Sequence, residues 1–343
     1  MDFKAFIDAP EYDFLRTDPH LGNRLILLGV GGSYGYGTNV EDSDVDFRGI
    51  TLNFPSDLIG LTSFDQFEDK KTDTVIYSFN RIVTLLRNCN PNTIEILGLD
   101  EDQYPVRTGI GQELLDQREI FLSMRAAASF GHYAQAQLRR LQNAIARDSM
   151  DQPQRERHMI KSVQNALNDF NSRYDDGSGT DAKLYIDTAQ TEGLEQEIFL
   201  DASFRHFPLR RYNEMMNSLN SVVRDYDKIG RREVPKDEKH LNKHAMHLVR
   251  LFMMGIDILA RSEIRTHRPP EDLKLLRSIR NGDYMRDGVF IPEFYEIVSD
   301  YETRFAEAEK NSRLPERPDM EKIEALVEGI NRRVVMGETE NLV

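Results

Sequence analysis

Tryptophan is absent from the 343-residue chain, and cysteine occurs once, at Cys89. A lone thiol cannot close an internal disulfide, and no cysteine cluster exists to hold zinc, so disulfide scaffolds, zinc ribbons and dithiol redox chemistry are excluded. No apolar run approaches the roughly 20 residues that span a bilayer, and the opening MDFKAFIDAPEYDF lacks the basic-then-apolar order of a secretory signal. A cytoplasmic protein with no membrane partner is expected. Positive charge is also in deficit, with 44 Lys and Arg against 58 Asp and Glu and a net charge of −14 at pH 7. That balance excludes a protein that coats nucleic acid through its phosphates, but it leaves room for a small basic pocket. Internal repeats, low-complexity tracts and a G-x-x-x-x-G-K-[ST] phosphate loop are missing as well.

The pattern of the remaining residues predicts an α+β chain. Arg24 to Val30 is a short apolar run ending in the glycine-rich turn Gly31 to Gly37, as a buried strand entering a tight loop reads. Asp44 to Leu52 alternates and predicts a second strand, Thr74 to Ser78 a third and Thr93 to Leu97 a fourth, with an amphipathic helix from Phe79 to about Asn88. After about residue 110, apolar residues recur three and four apart. Helices are predicted near 112–147, 155–174, 208–227, 239–260, 271–280, 292–310 and 320–335, interrupted by a β-hairpin of Lys183 to Ile186 and Glu197 to Ala202 with a turn at Thr191 to Gly193. The change of character suggests two domains, a mixed-sheet domain over 1–110 and a mainly helical, substrate- or nucleotide-binding domain over 111–343.

Gly31 to Gly49, GGSYGYGTNVEDSDVDFRG, concentrates the chemistry. Carboxylates at i and i+2 of a strand project from one face, so Asp44 and Asp46 would repel one another unless cations sat between them. A pair of Mg²⁺ ions ~3.5–4 Å apart removes the repulsion and suits in-line phosphoryl or nucleotidyl displacement. The turn before them is complementary. Backbone N–H groups at Gly32 can approach phosphate because no Cβ intervenes, and the Ser33 hydroxyl can donate one more hydrogen bond. Gly31-Gly32-Ser33-Tyr34-Gly35 also fits the nucleophile elbow of serine hydrolases, but polar Tyr36 to Ser43 provides no helix for the elbow to enter. Farther along, Lys243, His247 and Arg250 lie four and three residues apart, so one helical face presents three potential cations for a triphosphate or an acceptor phosphate. Local basic stretches also occur around Arg205, His206, Arg210 and Arg211. A zinc reading of His240, His244 and His247 lacks a supporting Cys or carboxylate.

An apolar strand, a Gly-Gly-Ser turn, residues Tyr34 to Ser43 and then Asp44-Val45-Asp46-Phe47 together resemble the fingerprint of the DNA-polymerase-β-type nucleotidyltransferase superfamily. Further segments narrow the likeness. Asn90-Pro91-Asn92 with Glu95 and Leu97, Gly131-His132-Tyr133-Ala134 with Gln137-Leu138, Lys243-His244 with His247-Leu248 and Arg250, Ile279-Arg280-Asn281-Gly282, and Leu314-Pro315-Glu316 with Pro318-Asp319 follow in order. They resemble the RNA-repair-pathway, RlaP-like nucleotidyltransferases over roughly residues 25–330. The resemblance implies a catalytic domain followed by a helical one, two Mg²⁺ ions, a nucleoside triphosphate such as ATP as substrate, and a short RNA or tRNA end among the acceptors. It also implies phosphate contacts at Gly32 and Ser33, metal ligation at Asp44 and Asp46, and a third carboxylate on a neighbouring strand as ligand or base. Asp73 is the first choice for that carboxylate and Glu95 the second, while Arg48 would touch phosphate or pair with the aspartates. A catalytically idle nucleotide or RNA sensor is the alternative, although such a module has no need of a repelling carboxylate pair.

Overall fold

The computed structural model describes residues 2–41, 43–148, 167–168, 170–171, 174, 180–190, 196–204, 207–226 and 238–339. They form two compact units, residues 1–141 with 238–343 and residues 142–237. That division follows packing and not the change in sequence character near residue 110.

The first unit is built on a five-stranded mixed sheet of order β3-β4-β2-β1-β5. β1 is Leu25–Val30, β2 Phe47–Thr51, β3 Gln66–Asp69, β4 Thr74–Ser78 and β5 Val106–Arg107. Every residue of β1 is buried, which explains its unbroken apolar composition. β4 alternates, burying Thr74, Ile76 and Ser78 and leaving Val75 and Tyr77 half-exposed. Beneath β1, β2 and β4, Leu28, Val30, Phe47 and Ile76 pack with Phe3, Tyr12 and Leu15 from the N-terminal segment. Each such side chain contributes about 1.5–3 kcal/mol by leaving water.

Sheet register gathers the chemistry at one end. β1 and β2 are antiparallel with Val30 opposite Phe47, and β2 and β4 are parallel with Phe47 opposite Thr74. The exit of β1 into Gly31, the approach to β2 through Asp46 and the approach to β4 through Asp73 therefore share one edge of the sheet.

Several sequence expectations change. The regular strand begins at Phe47, so Asp44 to Asp46 form an irregular lead-in. Thr93 to Leu97 is helical: Asn90 accepts from the backbone N–H of Asn92, Pro91 occupies the first helical position, and the turns Pro91–Ile94 and Glu95–Leu97 follow. The helix expected at 112–147 is broken into Gly109–Asp116 and Arg125–Asp148. β3 and β5 had no clear signal, because the one is polar and the other has two residues.

The longer helices of the first unit are α1 Phe79–Leu86, α2 Gly109–Asp116, α3 Arg125–Asp148, whose residues after 141 belong to the second unit, α5 Glu238–Arg261, α6 Pro270–Asn281, α7 Pro292–Asn311 and α8 Met320–Met336. α5 is buried along most of its length against α6 and α7. In the second unit, α4 Leu209–Tyr226 and the antiparallel hairpin β6 Thr180–Thr188 and β7 Gln196–Phe204 share a core of Leu167, Phe170, Tyr174, Ala182, Leu184, Met215 and Val222. Most of the helix predicted at 155–174, the turn at Thr191 to Gly193, and Arg205 and His206 lie outside the described residues. No helix among the described residues is long and apolar enough to cross a membrane.

Candidate nucleotide site

Gly32 opens a single helical turn, Gly32–Gly35, with φ +57°, a value that disfavours any side chain. A Cβ here would overlap Oδ2 of Asp46. The two segments are also tied through the backbone, since the Gly31 N–H donates to the Asp46 carbonyl at 2.8 Å. Thus the glycine turn and the first carboxylate form one structure.

Asp73 is the partner of Asp46. It stands in the left-handed region at φ +45°, in the turn between β3 and β4, where Asp is among the few side chains tolerated. Arg48 fixes it twice, donating to its carbonyl at 2.6 Å and reaching its Oδ1 at 3.3 Å. Burial pushes the Asp46 carboxyl up to about 6, and a hydrogen bond with Asp73 and that neighbour's charge add to the rise against Arg48 and Lys243. Asp44 is placed differently. Because it precedes the regular strand, alternation does not put it on the face of Asp46. Asp44 and Asp73 line one cleft, of about 830 Å³, and Asp46 lines another, of about 480 Å³.

This second cleft collects most of the candidate residues: Gly32, Ser33, Asp46 and Arg48 from the sheet, and Lys243, His247 and Arg250 from α5. Arg250 is buried and donates to the Gly32 carbonyl at 3.2 Å. Its guanidinium lies 3.8 Å from the centre of the Tyr36 ring and its Nη2 is 2.9 Å from Nδ1 of His247. Burial, then the charge of Arg250, lowers the His247 ring well below its ordinary range, so Nδ1 accepts from Arg250. The three-cation face predicted from spacing therefore carries two cations, exposed Lys243 and buried Arg250, with a neutral imidazole between them. Tyr133 meets that imidazole edge-on, with ring centres 6.2 Å apart.

Glu95 lines the same cleft but belongs to another network. Burial raises its carboxyl, Arg250 opposes that rise, and the Tyr36 hydroxyl shares a hydrogen bond with it. The carboxyl beside Asp46 is thus Asp73, whereas Glu95 feels the charge of Arg250.

Sequence reading left α6 without a role. Arg277 donates to the Gly37 carbonyl at 2.7 Å and Arg280 to Oγ of Ser43 at 3.1 Å. With Arg250 on Gly32, three guanidiniums hold the loop between β1 and β2. Their spacing on α6, three residues apart, was the available signal. Ser33 sits in a single four-residue helical turn that leads by a loop into β2 and not into a helix, which removes the geometric basis for a nucleophile elbow.

The donor chemistry fits a hard divalent cation, because Asp46 and Asp73 present only carboxylate oxygens, side by side and with like charge. Among the described residues no three His, Cys, Asp or Glu side chains converge tightly enough to enclose an ion. The assembled element is thus a pair, with Asp44 lining a cleft that it shares with Asp73.

Residues 11–161 match the RNA repair pathway DNA polymerase beta family. No curated protein and no solved structure matches the chain.

Proposed function

We propose, from the match of residues 11–161 to the RNA repair pathway DNA polymerase beta family, that the protein transfers a nucleoside monophosphate from a nucleoside triphosphate to an acceptor hydroxyl, releasing pyrophosphate. The observation that carries this reading is the shared cleft in which the Gly32–Ser33 turn and Asp46 face Lys243 and Arg250. In this reading the Gly32 and Ser33 turn receives the triphosphate, Lys243 meets its outer charge, and Arg250 holds the turn in shape through the Gly32 carbonyl. Asp46 and Asp73 would hold Mg²⁺, and Asp44 with substrate phosphates would complete the ligand set of the second ion that the resemblance implies. Bound there, the metal supplies charge neutralisation on the attacking and leaving oxygens.

The acceptor oxygen forms a bond to the α-phosphorus as the bond from that phosphorus to the bridging oxygen breaks. Pyrophosphate takes the bonding electrons, and the acceptor proton passes to the Asp73 carboxylate. Arg48 orients Asp73 for that transfer. Positioning and electrostatics account for most of the acceleration in such chemistry, so the fold should survive loss of the carboxylates.

The test is incubation with each α-phosphate-labelled nucleoside triphosphate, Mg²⁺ and a mixed pool of small RNAs. Transfer of label with pyrophosphate release is expected, falling by about a hundredfold or more in Asp46→Ala and Asp44→Ala. Turnover within about tenfold of wild type in either variant would remove that residue from the proposed machinery.

A further inference from the structure

The larger cleft, of about 830 Å³, is lined by Asp73, the carboxyl that meets Asp46. Asp44 and Asp73 line one part of it, and Lys70 and Lys71, both exposed in the turn between β3 and β4, line another. Half-buried Phe6 and Tyr34 complete the wall. Neither ring is loose: Tyr34 stands at 87° to Phe3 with centres 6.0 Å apart, and Phe6 packs on Tyr12 at 5.5 Å and on Phe47 at 6.1 Å. The lysine turn is equally well defined, because Asp69 accepts from both the backbone N–H and the hydroxyl of Thr72.

We propose that this cleft is the acceptor subsite and that it takes the 3′ end of a single-stranded RNA, with Lys70 and Lys71 on its phosphates and Tyr34 and Phe6 against its bases. The inference rests on the nucleotidyl-transfer reading above and names its acceptor. Fixed, partly exposed aromatic rings beside a lysine pair are the composition of a single-strand platform, since every base has a face that stacks. Glu11, Asp44 and Asp73 also line the cleft and outnumber the two lysines, so RNA binding here should require Mg²⁺ on the carboxylates. A 3′ hydroxyl lying along this wall reaches Asp73, the carboxylate that takes its proton in the proposed transfer.

The experiment measures binding of a fluorescein-labelled ten-nucleotide single-stranded RNA to the full chain in Mg²⁺ over a range of KCl concentrations. Binding of nucleoside triphosphate to the same wild-type preparation is measured alongside by calorimetry. Lys70→Ala/Lys71→Ala should weaken RNA binding at low salt by about tenfold or more and reduce the slope of log K against log salt by about 1.4, at ~0.7 per phosphate contact for single strands. Lys70→Arg/Lys71→Arg should restore both. Tyr34→Leu should weaken binding about tenfold with the slope unchanged. Equal slopes for wild type and the double alanine variant would overturn the inference. So would absence of RNA binding by a wild-type protein that binds nucleoside triphosphate, and in that case the nucleotidyl-transfer reading would stand with a different acceptor. Failure of the wild type to bind any nucleoside triphosphate would overturn both.

Discussion

Gly32 and Asp46 occupy space that only the pair can share. Gly32→Ala places a methyl group against the carboxylate and a side chain at φ +57°, so a stability loss of about 1–3 kcal/mol is expected from the backbone alone. Nucleotide binding should fall much further than stability, because Asp46 must move. Thermal unfolding and calorimetric titration of one preparation check both, and full nucleotide affinity in Gly32→Ala would contradict the shared-space account. Asp46 makes a second prediction. Its folded value of about 6 exceeds the ordinary 3.8, so the folded chain holds this proton more tightly than the unfolded one. The stabilisation is complete below about pH 3.8 and is lost as pH rises through about 6. In metal-free buffer, urea midpoints between pH 4 and 8 should decline more steeply for wild type than for Asp46→Asn, and Mg²⁺ should offset the decline by favouring the carboxylate. Parallel profiles for the two proteins would count against it.

At the level of elements, α5 does more than fill the core. Arg250 joins Gly32, Tyr36, His247 and Glu95, and its removal leaves Glu95 without its cation. Arg250→Ala should destabilise the fold by about 1.5–3 kcal/mol, as loss of hydrogen bonds from a charged group does. Adding Glu95→Gln should recover part of that loss, which a double-mutant cycle by urea unfolding measures. The elements themselves were largely legible. The apolar run of β1, the pattern of β4 and the spacing in α5 to α8 each fixed an element to within a few residues, because burial imposes the period that the sequence displays. Legibility failed where local chemistry overrode period. Asn90 and Pro91 nucleated helical turns at Thr93 to Leu97, and β3, a polar edge strand, had no apolar face to show. In the candidate site, the Gly32 turn and Asp46 could be read because glycine and paired carboxylates have few other uses in that order. The clamps from Arg277 and Arg280 showed only their three-residue spacing on α6, since nothing local names partners more than 200 residues away. The neutral state of His247, which depends on burial, could not be read.

For the whole molecule, the acidic excess and the division into two units matter most. The candidate site lies entirely within residues 1–141 and 238–343, and the second unit has its own core. We therefore expect a chain in which 142–237 is replaced by a flexible linker of roughly 20 Gly and Ser residues to unfold cooperatively and to retain nucleoside triphosphate binding. Scanning calorimetry and titration test this, and loss of both properties would tie the site to the second unit. The guanidinium clamp also orders events in time. During synthesis the five strands leave the ribosome by Arg107, but Gly32, Gly37 and Ser43 wait for Arg250, Arg277 and Arg280. A nascent chain or truncated product that stops short of α5 carries the carboxylates without the clamp. The glycine turn is therefore the last part of the candidate site to be fixed, and chains that end before α5 should bind no nucleoside triphosphate.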